Sequence, residues 1–262
     1  MYGMFSECRN LTSLNLSNFD TSRVTNMYRM FSDCINVEKI ILGNINTSLV
    51  QNMEELFNAC RKLTYIDNLN FDVFSVKTMR GMFRSCESFL TLNAEFNPQN
   101  VEDMYDLFAR CSKMISIKLP NFKTTIATTT QGIFYMDYEL RYVDLSNFEV
   151  PSITTIRSTF RYCSKIMFIN LNSLKNWNVS NGENFYRMFW RCAKLSDIDG
   201  LQNWNMANAI NLQGMFTSCQ SLTNLYALRN WKLSKVCNFS YMFFDCKSLT
   251  HLMALENGDV SN

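Results

Sequence analysis

The sequence predicts a solenoid of about ten α/β coils, each a short strand plus a short helix. Three observations predict it. An apolar residue followed by Phe, two variable residues and Cys returns at a near-constant interval. Strand-like and helix-like spacings of apolar residues alternate within each interval. Length changes between copies gather at one point of the unit. Self-similarity at a period of roughly 20–50 residues marks stacked units rather than separate globules.

The recurring stretch opens as Met4-Phe5-Ser6-Glu7-Cys8. It returns as Met30-Phe31 with Cys34, Leu56-Phe57 with Cys60, Met82-Phe83 with Cys86 and Leu107-Phe108 with Cys111. Ile133-Phe134 has Asp137 in the Cys position. Thr159-Phe160 with Cys163, Met188-Phe189 with Cys192, Met215-Phe216 with Cys219 and Met242-Phe243 with Cys246 complete the series. Nine steps cover the 238 residues from Cys8 to Cys246, a mean period near 26.

Within the first complete unit, Leu11, Leu14 and Leu16 end in the alternation of a strand that buries one face. Ser17 to Ser22 read as a turn whose polar side chains cap a helix start. Val24, Met27, Phe31 and Cys34 then fall at steps of three, four and three, one face of a helix. A lone unit can bury neither face, whereas stacked units bury both.

A second column, Phe19, Ile45, Phe71, Phe96, Phe122, Phe148, Trp177, Trp204 and Trp231, always precedes a Phe of the recurring stretch by 12 residues. The distance from Cys to this column runs from 10 (Cys86 to Phe96) to 14 (Cys163 to Trp177). The helical half is therefore the fixed one, and the strand exit absorbs the variation. Leu174, Asn176 and Trp177, and their copies at Leu201 and Leu228, mark the last units as a subfamily. Ala127, Thr130 and Asp137 replace the usual Val, Met and Cys, so the sixth coil is expected to be distorted. The whole chain, 1–262, reads as one solenoid domain and a fragment lacking its natural caps. Met1 to Phe5 already matches Met27 to Phe31, and the strand begun at Leu249 and Leu252 meets Gly258 where an aromatic is due.

With 47% apolar residues the chain can fill a large core, and a net charge of +2 offers no basic footprint for nucleic acid. No apolar run reaches the length that spans a bilayer, so no membrane insertion is expected. The column cysteines stand far apart in sequence and the chain has one His, so neither a metal site nor a cofactor is expected. Stacked coils would bring cysteine Cα atoms within disulfide range, but parallel Cβ vectors oppose pairing. The expected state is a column of buried thiols acting as small apolar groups, with some pairing left open. The tenth cysteine, Cys237, and Trp190 lie outside the columns, and Trp190 is the Trp expected at the surface. His251 has no Ser or Asp set around it in sequence, and no phosphate loop or paired-carboxylate motif stands out, so no catalytic residue is assigned.

The L-x-x-L-x-L pattern, the Met-Phe-x-x-Cys stretch and the run Asn-Phe-Asp-Thr-Ser-x-Val-Thr-Asn-Met from Asn18 to Met27 together resemble the BspA-like leucine-rich repeat surface proteins of bacteria and some protists. The resemblance covers essentially the whole chain. It implies a right-handed solenoid, a cell-surface or secreted location, and adhesion to host proteins, other cells or matrix. The chain departs from the ordinary leucine-rich repeat in that the Asn after the strand lies two residues past the last Leu rather than three. The family defines no catalytic residues.

Outward strand positions of a solenoid form one continuous face. Small polar residues occupy its ends, whereas its middle carries Tyr65, Ile115, Lys118, Arg141, Tyr142, Met167 and Phe168. Aromatics, Met and Arg are the types enriched in interface cores. The expected function is a non-enzymatic recognition or adhesion module that binds a protein or glycan there. The alternative is a scaffold or spacer in a virion, filament or surface layer.

Overall fold

The computed structural model describes residues 1–145, 148–167, 174–175 and 177–251. Among the described residues, six short strands form on the leucine-rich segments: β1 (Ser13–Asn15), β2 (Lys39–Ile41), β3 (Tyr65–Ile66), β4 (Thr91–Asn93), β5 (Ser116–Lys118) and β6 (Tyr142–Asp144). Their middle positions are apolar and turn toward the core, as one-faced burial requires. The strands pair parallel and one repeat apart: Leu14 lies beside Ile40, Ile40 beside Ile66, and Ile117 beside Val143. The chain is thus a repeat solenoid in which consecutive repeats are neighbouring coils. The strands form two sheets, β1-β2-β3 and β4-β5-β6. The break falls after Asn68, which has φ 48. In two later repeats the strand exit tightens into 3-10 turns at Asp199–Leu201 and Tyr226–Leu228.

The helix expected from Val24 to Cys34 is absent; a ribbon of overlapping β-turns takes its place. The Met30, Ser32 and Cys34 amides donate to Met27, Arg29 and Phe31 of their own coil at 3.1, 3.1 and 3.2 Å. The intervening amides of Met27, Arg29, Phe31 and Asp33 donate instead to Asn52, Glu54, Leu56 and Asn58 of the next coil, at 2.8–3.0 Å. Arg29 and Asp33 have φ 51 and 62. Each is the third residue of its turn, where a type II turn requires a positive φ. The same two positions are left-handed in every copy, from Gly3 and Glu7 to Tyr241 and Asp245. The α/β reading is corrected accordingly: the turn ribbon buries positions 27, 31 and 34 just as a helix would, so the apolar spacing is the same. Nor do the polar turn residues cap a helix. Asp20 Oδ1 accepts the Ser22 amide at 2.9 Å, and Asn26 Oδ1 accepts the Tyr28 amide at 2.8 Å. The second bond recurs at Asn52, Asp103, Asn184, Asn211 and Asn238.

Inside, the repeated Phe rings stack in one unbroken column from Phe5 to Phe243, with consecutive centroids 5.3–5.9 Å apart. The column thiols are more than apolar filler. Cys34, Cys86 and Cys219 donate to the carbonyls of Phe5, Phe57 and Phe189, one coil back, at 3.0, 3.2 and 3.2 Å. All ten cysteines are free. Trp177, Trp204 and Trp231 stack with centroids 6.4 Å apart, and the Trp204 indole N–H donates to Leu174 O at 2.9 Å. One continuous core cluster runs from Leu16 to Met242.

The sixth coil departs from this pattern where the sequence changes. Asp137 is fully buried in the thiol column; its Oδ1 accepts the Cys111 amide at 2.8 Å and its Oδ2 has no partner. Burial pushes its pKa well above the ordinary aspartate value. The Thr130 and Thr159 hydroxyls hydrogen-bond in the core at 3.2 Å. A second line of parallel bridges runs Asn26, Asn52, Thr78, Asp103 and resumes at Thr129, Thr155, Asn184, Asn211, Asn238, with no bridge from Asp103 to Thr129. A groove of about 390 Å³ opens there, lined by residues that include Asp103, Tyr105, Thr129 and Gln131.

Phe108→Ala is expected to cost about 3–5 kcal/mol in urea unfolding, because both neighbouring rings lose their contact. Phe5→Ala, at the half-buried end of the column, is expected to cost clearly less. The folded-state pKa of Asp137 lies above the unfolded value, so its contribution is complete at acid pH and is lost as pH rises. The slope is at most about 1.4 kcal/mol per pH unit. Asp137→Asn is expected to flatten that slope between pH 4 and 8; an unchanged profile would show that the acid is not held protonated.

Candidate functional site

Outward positions of the strands are fixed by the register of the inward ones, and the second sheet concentrates them. The carbonyl of Ile115, just before β5, accepts the amides of Arg141 and Tyr142 at 2.9 and 3.2 Å. That bond places three of the sequence-identified residues side by side on adjacent coils. Ile115 is 41% exposed. Tyr142 is half-buried, with the Lys118 ammonium 6.0 Å from its ring centroid and its hydroxyl donating to Asp144 Oδ2 at 3.5 Å. Arg141 is exposed and pairs with Glu139 at 3.6 Å, a contact worth little at the surface. Met167, on the next coil, is 59% exposed. Phe168 lies outside the described residues.

Tyr65 stands apart. It is half exposed on β3, in the other sheet, with the Lys39 ammonium of the paired strand 5.1 Å from its ring centroid. β3 and β4 are not paired, so Tyr65 lies in a different sheet from the group on β5 and β6. The structure adds a residue that the sequence reading passed over. Leu90 is 50% exposed, and its carbonyl accepts the Ile115 amide at 2.7 Å. The signal was present: Leu90, Ile115, Arg141 and Met167 each follow the Cys-column residue of their coil by four. Together they make an outward apolar strip interrupted by one guanidinium.

Other chemistry is sparse. His251 is exposed. Among the described residues no group of His, Cys, Asp and Glu is placed to hold a metal ion. Among the described residues no helix is long and apolar enough to cross a membrane. The buried column thiols, such as Cys86 and Cys192, have pKa values raised well above the ordinary thiol by burial, so they are poor nucleophiles. Cys237 alone among the ten is exposed.

The sequence profile described as "Mycoplasma protein of unknown function, DUF285" matches residues 1–117, 103–224 and 165–262. No curated protein matches the chain. Among solved structures, the chain is similar to a leucine-rich repeat protein of T. pallidum, with 20% identity, 71% of this chain and 79% of that one covered, and a TM-score of 0.46. A leucine-rich cell surface protein from Faecalibacterium prausnitzii follows at 15% identity, 91% and 72% coverage and a TM-score of 0.38. A leucine-rich repeat protein from Bacteroides ovatus shows 17% identity, 95% and 80% coverage and a TM-score of 0.30.

In the native protein, a thiol-disulfide reagent is expected to label Cys237 rapidly and the buried column cysteines only after unfolding. Cys237→Ser should remove the fast phase; fast labelling of Cys86 or Cys192 would contradict the buried column.

Proposed function

This chain belongs to the family described as DUF285, and from that premise we propose that it is a non-enzymatic recognition module, BspA-like in type, that grips a protein or glycan partner with its strand face. The observation that carries the reading is the strip Leu90, Ile115, Arg141 and Met167 beside Tyr142 and Lys118. Apolar side chains stand there in solvent on a rigid backbone, where nothing in the fold needs them. A partner that covered them would gain the hydrophobic free energy that the fold leaves unused. Lys118 and Arg141 at the same place would orient the partner and add charge-assisted bonds. Phe168 belongs to the proposed patch by its position in the sequence, and Tyr65 to a separate contact. A right-handed solenoid of about ten coils displayed on a cell surface or secreted would present this strip to extracellular ligands. The reading assigns no catalytic step.

A binding screen against extracellular matrix proteins and uncharged glycans tests it. Ile115→Asp combined with Met167→Asp is expected to weaken any partner found by about tenfold or more, as truncation at an interface centre does. Thermal stability should change little, because both side chains are exposed. Unchanged binding to every partner would refute the strand-face assignment.

A further inference from the structure

The turn ribbon carries a second surface that the net charge of the chain conceals. In the early coils its arginines are neutralised from within. Arg29 pairs with Asp33 at 3.3 Å and with Glu55 at 3.2 Å. Arg84 pairs with Glu55 at 3.0 Å. Arg80 pairs with Asp103 at 3.5 Å and with Glu54 at 3.9 Å. Later coils place arginine at the same repeat positions and remove every one of those acids. Arg187 is the counterpart of Arg29, but Arg191 and Gly214 stand where Asp33 and Glu55 would be. Arg161 is the counterpart of Arg84, with Gly132 in place of Glu55. Arg157 is the counterpart of Arg80, with Gln131 and Asn184 in place of Glu54 and Asp103. Among the described residues no carboxylate lies within ion-pair distance of Arg157, Arg161, Arg187 or Arg191.

Aromatic rings hold this charge in place of acids. Trp190 has the Arg187 guanidinium 3.9 Å and the Arg161 guanidinium 5.7 Å from its ring centroid. Tyr162 lies 5.0 Å from Arg161 and 5.3 Å from Arg191. Tyr186 lies 4.7 Å from Arg187 and 5.1 Å from Arg157. A Cβ at Gly214 would sit 2.9 Å from Trp190 Cε3, so the glycine also makes room for the ring. Cation–π contact fixes a guanidinium without consuming its charge or its outward N–H groups. Four like charges on two adjacent coils repel one another, and a multivalent anion relieves that repulsion while taking bidentate hydrogen bonds.

We propose that this arginine face, formed by Arg157, Arg161, Arg187 and Arg191 over Tyr162, Tyr186 and Trp190, binds a sulfated polysaccharide. A sulfated chain offers closely spaced anions and needs no ring to stack upon. Single-stranded nucleic acid draws much of its affinity from bases stacked on open aromatic faces. Here each of the three rings already has two guanidiniums over it. An anionic bilayer would be gripped by exposed apolar side chains beside the charge, whereas these rings are half-buried beneath the arginines. The face is independent of the strand strip, so the two assignments stand or fall separately.

The test is binding of the full chain to immobilised heparin across a salt series. Heparin is expected to bind, and Arg157→Gln with Arg161→Gln, Arg187→Gln and Arg191→Gln to weaken it by about tenfold or more, with a shallower dependence on salt. Arg29→Gln with Arg84→Gln, on the neutralised coils, and Ile115→Asp with Met167→Asp should leave it unchanged. Desulfated heparin should not bind. If the fourfold variant fails to fold by circular dichroism, Arg157→Gln and Arg191→Gln, both at exposed positions, are read singly and should each weaken binding and lower the salt slope. No binding to heparin at low salt, equal binding by the arginine variants, or stronger binding to a single-stranded oligonucleotide or to phosphatidylserine vesicles would overturn the proposal.

Discussion

The structure depends on where alternate backbone amides of the turn ribbon send their hydrogen bonds. Met27, Arg29, Phe31 and Asp33 donate forward to the next coil, while Met30, Ser32 and Cys34 donate within their own. A buried amide without a partner costs free energy comparable to a lost hydrogen bond, so each coil is complete only when its neighbour is in place. The arrangement requires two left-handed residues per coil. Outside glycine that conformation costs roughly 1–2 kcal/mol per residue, and the coil-to-coil bonds over-determine it. Glycine relieves the strain at Gly81 and Gly214, whereas Glu55, Asp106 and Arg187 occupy the same position without that relief.

The thiol column follows from the same geometry. Each turn leaves a Phe carbonyl facing the following coil, and the cysteine Sγ is small enough to sit in the core and donate to it. Asp137 replaces a weak donor with a fully buried carboxyl group whose charged form burial disfavours. The same coil lacks the bridge from Asp103 to Thr129, and the groove opens at that gap. The chemical exception and the structural one thus occur together at the sixth coil.

Function has room only on the outside, and the two outer surfaces differ in kind. The strand side shows an apolar strip with few charges; the turn side is neutralised in its early coils and strongly cationic around Trp190. A solenoid permits this because each coil contacts only its neighbours, so outward residues on one stretch can change without disturbing packing elsewhere.

The sequence by itself determined the period, the inward columns and the parallel stacking, because a buried position admits few residue types and its repetition is visible. It also marked the sixth coil, through Ala127, Thr130 and Asp137, and most of the strand strip. The tertiary structure decided the rest. Helix and turn ribbon bury Met27, Phe31 and Cys34 alike, so apolar spacing could not separate them; the difference lies in hydrogen bonds to a coil about 26 residues away. The division of the strands into two sheets, which set Tyr65 apart, and the exposure of Leu90 were decided by the packed coils. The cationic face was hidden because a net charge of +2 sums over all coils, whereas an arginine is neutralised only by the acid that stacking places beside it.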